Sequence, residues 1–189
     1  ETKAFISNPI LTSDVPEICL GETATISVTG IPQTPQDFIN DHPELRLFLT
    51  DEANNTAYFL KEESMTWTAA YDLIQSYGAS ASMYIINSQE EETLVYNSLF
   101  NLGYAGTSDY HFWMGLKQYP ELNPTNGVDT GWYWLDGRPL TAELANWSNN
   151  EPNDWSPTNA NVEAGDEDYG QFDFFSIKTW NDMTNASPG

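Results

Sequence analysis

Glu151-Pro152-Asn153, read together with Glu167 and with Trp180-Asn181-Asp182, is the part of the chain around which the rest is organised. These segments gather three carboxylates (Glu151, Glu167, Asp182) and two carboxamides (Asn153, Asn181), and tryptophans bracket them. An all-oxygen donor set suits a hard cation, calcium above all, which takes about six to eight oxygens in irregular geometry. Transition metals prefer nitrogen or sulfur. The clustering reads as a calcium site with something else bound to the calcium.

The chain has 189 residues, 40% of them hydrophobic and 14% aromatic, which is enough to fill the core of one domain and leave a modest extra segment. Six Lys and Arg stand against 28 Asp and Glu, for a formal charge of −22. That balance repels phosphate backbones and anionic lipid and offers no basic footprint, so no nucleic-acid partner is expected. The same excess also describes a solvated acidic surface, so composition by itself does not argue for calcium. No apolar run approaches the roughly 18 residues of a membrane span, and no insertion is expected. The start at Glu1 has no charged-then-apolar signal pattern, so any export signal lies outside this segment. The single Cys19 excludes an internal disulfide framework and a thiolate metal site, without fixing the compartment.

Residues 1–35 read differently from the rest. Glu22 to Thr29 alternates apolar and hydroxyl residues at strand period and is followed by Gly30, Pro32 and Pro35. This predicts a β-rich N-terminal segment, a partial unit or linker, and the stretch from Pro9 through Pro16 to Gly21 resembles the Ig-like repeats of large bacterial surface adhesins. Arg46–Thr50 and Ala57–Leu60 predict a hairpin, joined by an Asn- and Asp-rich turn. Thr66 is placed to cap a helix with Trp67, Ala70, Tyr71, Ile74 and Tyr77 at helical spacing, and Gly78 to stop it. Ser82–Ile86 predicts a short strand. Ser88 with Glu91 predicts a capping box for a second helix, whose Glu90, Glu91 and Glu92 read as a dipole-favoured first turn rather than as ligands. After Gly103 the pattern is short strands and aromatic-rich loops.

In order, Tyr58-Phe59, the two helices, Trp113-Met114-Gly115-Leu116, Trp134-Leu135-Asp136-Gly137, Asn146-Trp147, Glu151-Pro152-Asn153, Glu167-Asp168 and Trp180-Asn181-Asp182 resemble the C-type lectin-like domain. Single triplets are weak motifs, and their common order carries the likeness. The resemblance spans about residues 45–185 and implies an α+β, double-loop domain over 36–189 with two helices and small antiparallel sheets. It further implies Trp113 and Trp134 as core residues, a cis bond before Pro152, and Glu151, Asn153, Glu167, Asn181 and Asp182 as calcium ligands. Glu151, Asn153, Glu167 and Asn181 would also meet a sugar, with Trp155 as a ring that either stacks on the ligand or plugs the loop. The Glu-Pro-Asn order resembles the mannose-type variant, which prefers equatorial vicinal hydroxyls. Asp154, Asp166 and Asp168 form a candidate auxiliary calcium site, against the equal alternative of a hydrated acidic loop.

The chain departs from the family's pattern in three ways. Ile74, Tyr169 and Asn185 stand near positions where cysteines are expected, so packing must replace the staples. The span 154–166 is longer than the usual connection, leaving Glu163 and Asp166 as alternatives to Glu167. Nothing before Gly189 reads as the closing strand expected to pair with 58–60. The leading expectation is calcium-dependent glycan binding without chemistry, within a longer extracellular or bacterial cell-surface chain carrying other modules. A lectin-like module binding protein or ice is the alternative, since function rests in the site rather than in the fold. A glycoside hydrolase built on Glu151 and Glu167 is disfavoured, because carboxylates held ionised by calcium make poor general acids.

Overall fold

The computed structural model describes residues 10–13, 26–29, 34–104, 111–119, 129–154, 167–173 and 178–185. By packing, the chain divides into two compact units, Lys3–Lys61 and Glu62–Gly189. In the first, β1 (Ile10–Ser13) pairs antiparallel with β2 (Ile26–Thr29), which is the described part of the alternating run. The expected hairpin forms from β3 (Arg46–Asp51) and β4 (Thr56–Leu60), in register from Arg46↔Leu60 to Asp51↔Thr56 with an irregularity between Leu47 and Leu49. Its turn holds because the Asp51 carboxylate accepts from the N–H of Ala53 at 3.1 Å and of Asn54 at 3.3 Å, while Asn55 takes the left-handed conformation that asparagine tolerates.

A helix outside the sequence expectations precedes this hairpin. α1 spans Pro35–Asp41, so the described residues hold three helices rather than the expected two. Its signal was local: Thr34 is the N-cap, Pro35 fills the first turn where no N–H is needed, and Asp37 closes a capping box back onto Thr34. Pro35, which reads as part of a linker, is here the first residue of a helix. Phe38 is buried and meets the Phe59 ring at 5.0 Å and the His42 ring at 4.6 Å.

The second unit begins with α2 (Trp67–Ser76) and α3 (Gln89–Asn101). Thr66 caps α2 by accepting from Ala69 N–H at 3.1 Å, and Gly78 leaves the helix at φ 104°, a conformation open to glycine. Thr66→Ala is expected to lower stability by about 1 kcal/mol, the usual worth of such a cap, read as a shifted urea midpoint at constant slope. At α3 the Ser88 hydroxyl accepts from Glu91 N–H, but the Glu91 carboxylate reaches back to Asn87 N–H and the Asn87 amide rather than to Ser88. The reciprocal half of the expected box is thus displaced by one residue.

β5 (His111–Gln118), β6 (Trp132–Trp134), β7 (Tyr169–Asp173) and β8 (Thr179–Met183) form one antiparallel sheet in the order β6-β5-β7-β8. The expected strand at Ser82–Ile86 is not formed. That segment meets the sheet through the bond from Gly115 N–H to Tyr84 C=O at 2.7 Å, and Met83, Ile85 and Ile86 are buried without a ladder. Their apolar run marked burial correctly and pairing wrongly, an ambiguity inherent in short hydrophobic stretches.

One core cluster forms where Trp67, Ala70 and Met83 meet Met65, Tyr71, Ile74, Trp113, Leu135 and Tyr169. Two indole N–H groups tie it down: Trp67 donates to Met114 C=O and Trp113 to Met65 C=O, each at 2.8 Å. Ile74 and Tyr169, expected near cysteine positions, pack into this cluster, and Asn185 accepts from Thr68 N–H at the start of α2 at 3.1 Å. Apolar contact and an amide cap therefore occupy those places.

Candidate functional site

Tryptophans set the geometry on which the site rests. Trp134 and Trp180 are almost wholly buried and meet edge-on at 5.8 Å, Trp147 meets Trp180 at 5.6 Å, and Trp132 meets Trp147 at 4.9 Å. The backbone of Trp180 is gripped from the side: its N–H donates to Asn146 C=O at 2.9 Å and its C=O accepts from Ser148 N–H at 2.8 Å. Residues 146–148 thus run beside β8, with Trp147 bridging Trp180 in parallel sense. A turn from Ser148 C=O to Glu151 N–H at 3.0 Å, with Asn150 at φ 72°, then brings Glu151-Pro152-Asn153 beside the end of β8. The peptide bond between Glu151 and Pro152 is cis, as the resemblance implied.

Asp182 is the organising carboxylate. It is fully buried, and its two oxygens accept from the backbone N–H of Asn153 at 3.1 Å and of Asp154 at 2.7 Å. Asp154, at φ 48°, in turn accepts through Oδ1 from Glu167 N–H at 3.2 Å. The Asn153 amide donates to the Glu151 carboxylate. The structure therefore brings Glu151, Asn153 and Asp182 together, with Asp154 alongside and Glu167, buried just ahead of β7, tied in through its backbone N–H. Asp168 is half-buried beside it.

Asn181 stands apart from this bonding. It faces Gln171 across the β7–β8 ladder, whereas Asp182 faces Gly170. Among the described residues the Asn181 side chain makes none of the hydrogen bonds that hold the cluster. Trp155, Glu163 and Asp166, named for the stacking role, as an alternative ligand and for the auxiliary site, lie outside the described residues.

Electrostatics mark Glu151. Burial first, then the hydrogen bond and the negative charge of Asp182, push its carboxyl up to about 7, against a smaller lowering by Asn153. Two carboxyls this close favour sharing a proton or accepting a cation. Among the described residues no three His, Cys, Asp or Glu side chains converge as a metal site by themselves. What converges is a carboxylate pair with a carboxamide and further acidic residues at its margin. This donor set is oxygen throughout, and so fits a hard cation that completes its shell with outside oxygens.

Glu92 has a role that its sequence context does not announce. Glu92, expected as a dipole-favoured residue in the first turn of α3, is only 2% exposed and accepts from the Trp180 indole at 2.8 Å and the Asn146 amide at 3.0 Å. Nothing in the Glu90-Glu91-Glu92 run distinguishes the third glutamate except its helical phase with Val95 and Leu99, which are buried on the same helix.

No family model matches the chain. It is 29% identical over 99 residues to human C-type lectin domain family 4 member E, covering 52% of this chain and 38% of that protein. It is 27% identical over 128 residues to mouse CD209 antigen-like protein A, covering 67% of this chain and 42% of that protein. Among solved structures it is similar to the carbohydrate-recognition domain of human scavenger receptor C-type lectin, at a TM-score of 0.48 and 20% identity, covering 68% of this chain and 81% of that one. The chain spans well under half the length of these two curated relatives. Its fold class is α+β: within Glu62–Gly189, α2 and α3 are followed by a four-stranded antiparallel sheet with residues 146–148 along its last strand, consistent with a C-type lectin-like domain.

Proposed function

We propose that this protein is a calcium-dependent carbohydrate-binding module whose ion and sugar share Glu151, Asn153, Glu167, Asn181 and Asp182. The observation that carries the reading is the convergence on Asp182: its carboxylate holds the backbone of residues 153 and 154 while lying against the Glu151 carboxyl. When bound, calcium supplies the positive charge that keeps both carboxylates ionised and accepts two further oxygens. A pair of vicinal hydroxyls fits those openings, since each offers a lone pair to the ion and a proton to a carboxylate and accepts from a carboxamide N–H. Similarity to C-type lectins supports the sugar. Asp154 and Asp168, with Asp166, are proposed to order the loop with a second ion, and Trp155 to flank the ligand. The protein then acts outside the cell or at its surface, beside other modules of a longer chain. Among the described residues no helix is long and apolar enough to cross a membrane.

A glycan array read in calcium and then in chelator tests the function. Binding that survives chelator removes the reading. Specificity has its own test, because Glu151-Pro152-Asn153 places acceptor and donor in the mannose-type order. Glu151→Gln with Asn153→Asp conserves charge but exchanges the two around the ion. Each mismatched hydroxyl then leaves a donor or acceptor unpaired, at about 1–3 kcal/mol, or about one to two decades of affinity. Calorimetry is expected to show mannose-type ligands weakened and galactose-type ligands favoured, with calcium retained. An unchanged sugar ranking with normal calcium binding would assign specificity to other residues.

A further inference from the structure

We infer that Glu92 is a positioning residue for the proposed site, a carboxylate on α3 that sets where the two ligand-bearing segments stand relative to each other. The inference rests on the calcium reading. Glu92 Oε1 accepts from Trp180 Nε1 at 2.8 Å and from Asn146 Nδ2 at 3.0 Å, and Oε2 pairs with Lys178 Nζ at 3.1 Å. The Asn146 amide also donates to Lys178 C=O, and Lys178 Nζ donates to Thr93 Oγ1 at 2.6 Å. One buried carboxylate therefore binds both segments of the site at once. Trp180 leads directly into Asn181-Asp182, and Asn146 opens the segment that turns into Glu151-Pro152-Asn153.

Fold stability does not by itself call for a charge at this place. A buried ion pair replaced by apolar residues of similar volume is often as stable or more so, because the desolvation of both ions is avoided. What an apolar residue cannot supply is direction: the Trp180 indole, the Asn146 amide and the Lys178 ammonium would lose the acceptor that fixes their relative placement. Among the described residues Glu92 makes no hydrogen bond to Glu151, Asn153 or Asp182, so it acts through Trp180 and Asn146 and not as a ligand. Outer residues that orient metal ligands are worth about 10–100-fold in metal affinity, which sets the expected effect.

The test compares the parent protein with Glu92→Gln and Lys178→Gln. Melting temperatures are taken with excess chelator and with millimolar calcium, and calcium affinity is measured by calorimetry well below either melt. Glu92→Gln keeps an oxygen for the indole and loses the ion pair. It is expected to weaken calcium about 10–100-fold and to shrink the calcium-induced rise in melting temperature. Lys178→Gln leaves the carboxylate in place and is expected to act in the same direction, so the test survives if the first variant does not fold. A purely structural role would lower both melting temperatures together and leave the increment and the affinity at parent values. That outcome in the variants, with a responding parent, overturns the inference alone. A parent that does not respond to calcium overturns the function reading and the inference with it.

Discussion

Millimolar calcium is expected to raise the melting temperature of this protein, and to raise it more at pH 8 than at pH 5. Ligand present at about 100 times its dissociation constant stabilises by about 2.7 kcal/mol, which for a domain of this size is roughly 5–10 °C. The pH dependence follows from Glu151, whose carboxyl in the ion-free protein is pushed up to about 7 by burial and by Asp182. A raised carboxyl is favourable to the fold in its protonated form. Its contribution is fully present below the unfolded value of 4.5 and is lost as pH rises through about 7. The ion-free protein therefore weakens across that window, while calcium compensates the two charges and no longer competes with the proton. Scanning calorimetry with calcium and with chelator at the two pH values checks this. Equal increments at both would remove Glu151 from the site.

Asp182→Ala is expected to abolish calcium binding, by more than the roughly 100-fold that outer residues account for, and to loosen the loop even without the ion. The side chain is fully buried, and its two oxygens accept from the N–H groups of Asn153 and Asp154. Each donor left without a partner costs about 1–3 kcal/mol, less where water reaches it. Asp182→Asn separates the two roles. It retains a carbonyl oxygen for one of those N–H groups and removes the charge that opposes Glu151, so its ion-free melting temperature is expected above that of Asp182→Ala. Its calcium response is expected to be lost all the same. A retained response in Asp182→Asn would show that the carboxylate serves the loop and not the ion.

The helices and their caps were legible because they depend on near neighbours. Thr66 with Gly78, and Ser88 ahead of three glutamates, carry their own start and stop chemistry, and the structure places α2 and α3 there. The signals of α1 are equally local, with Thr34, Pro35 and Asp37 in the right order, but the neighbouring Gly30 and Pro32 suit a linker just as well. Ser82–Ile86 shows the opposite limit. Its apolar residues announce burial, but whether a ladder forms depends on what lies alongside, and there Gly115 offers a hydrogen bond to Tyr84 C=O.

By itself the sequence determined the donor chemistry of the site, since Glu151, Asn153, Glu167, Asn181 and Asp182 are oxygen donors whatever the fold. Tertiary structure alone decided how these groups are used. Asp182 became the buried acceptor for residues 153 and 154 because residues 146–148 lie along β8, a pairing between distant segments that no local pattern encodes. Glu92 went inside while its neighbour Glu91 capped a helix, because the Trp180 indole, the Asn146 amide and Lys178 arrive at that one carboxylate from far along the chain. Residue types fix what a group can bond. Which partner reaches it first is settled by packing, because a buried charge is tolerated only where partners converge on it.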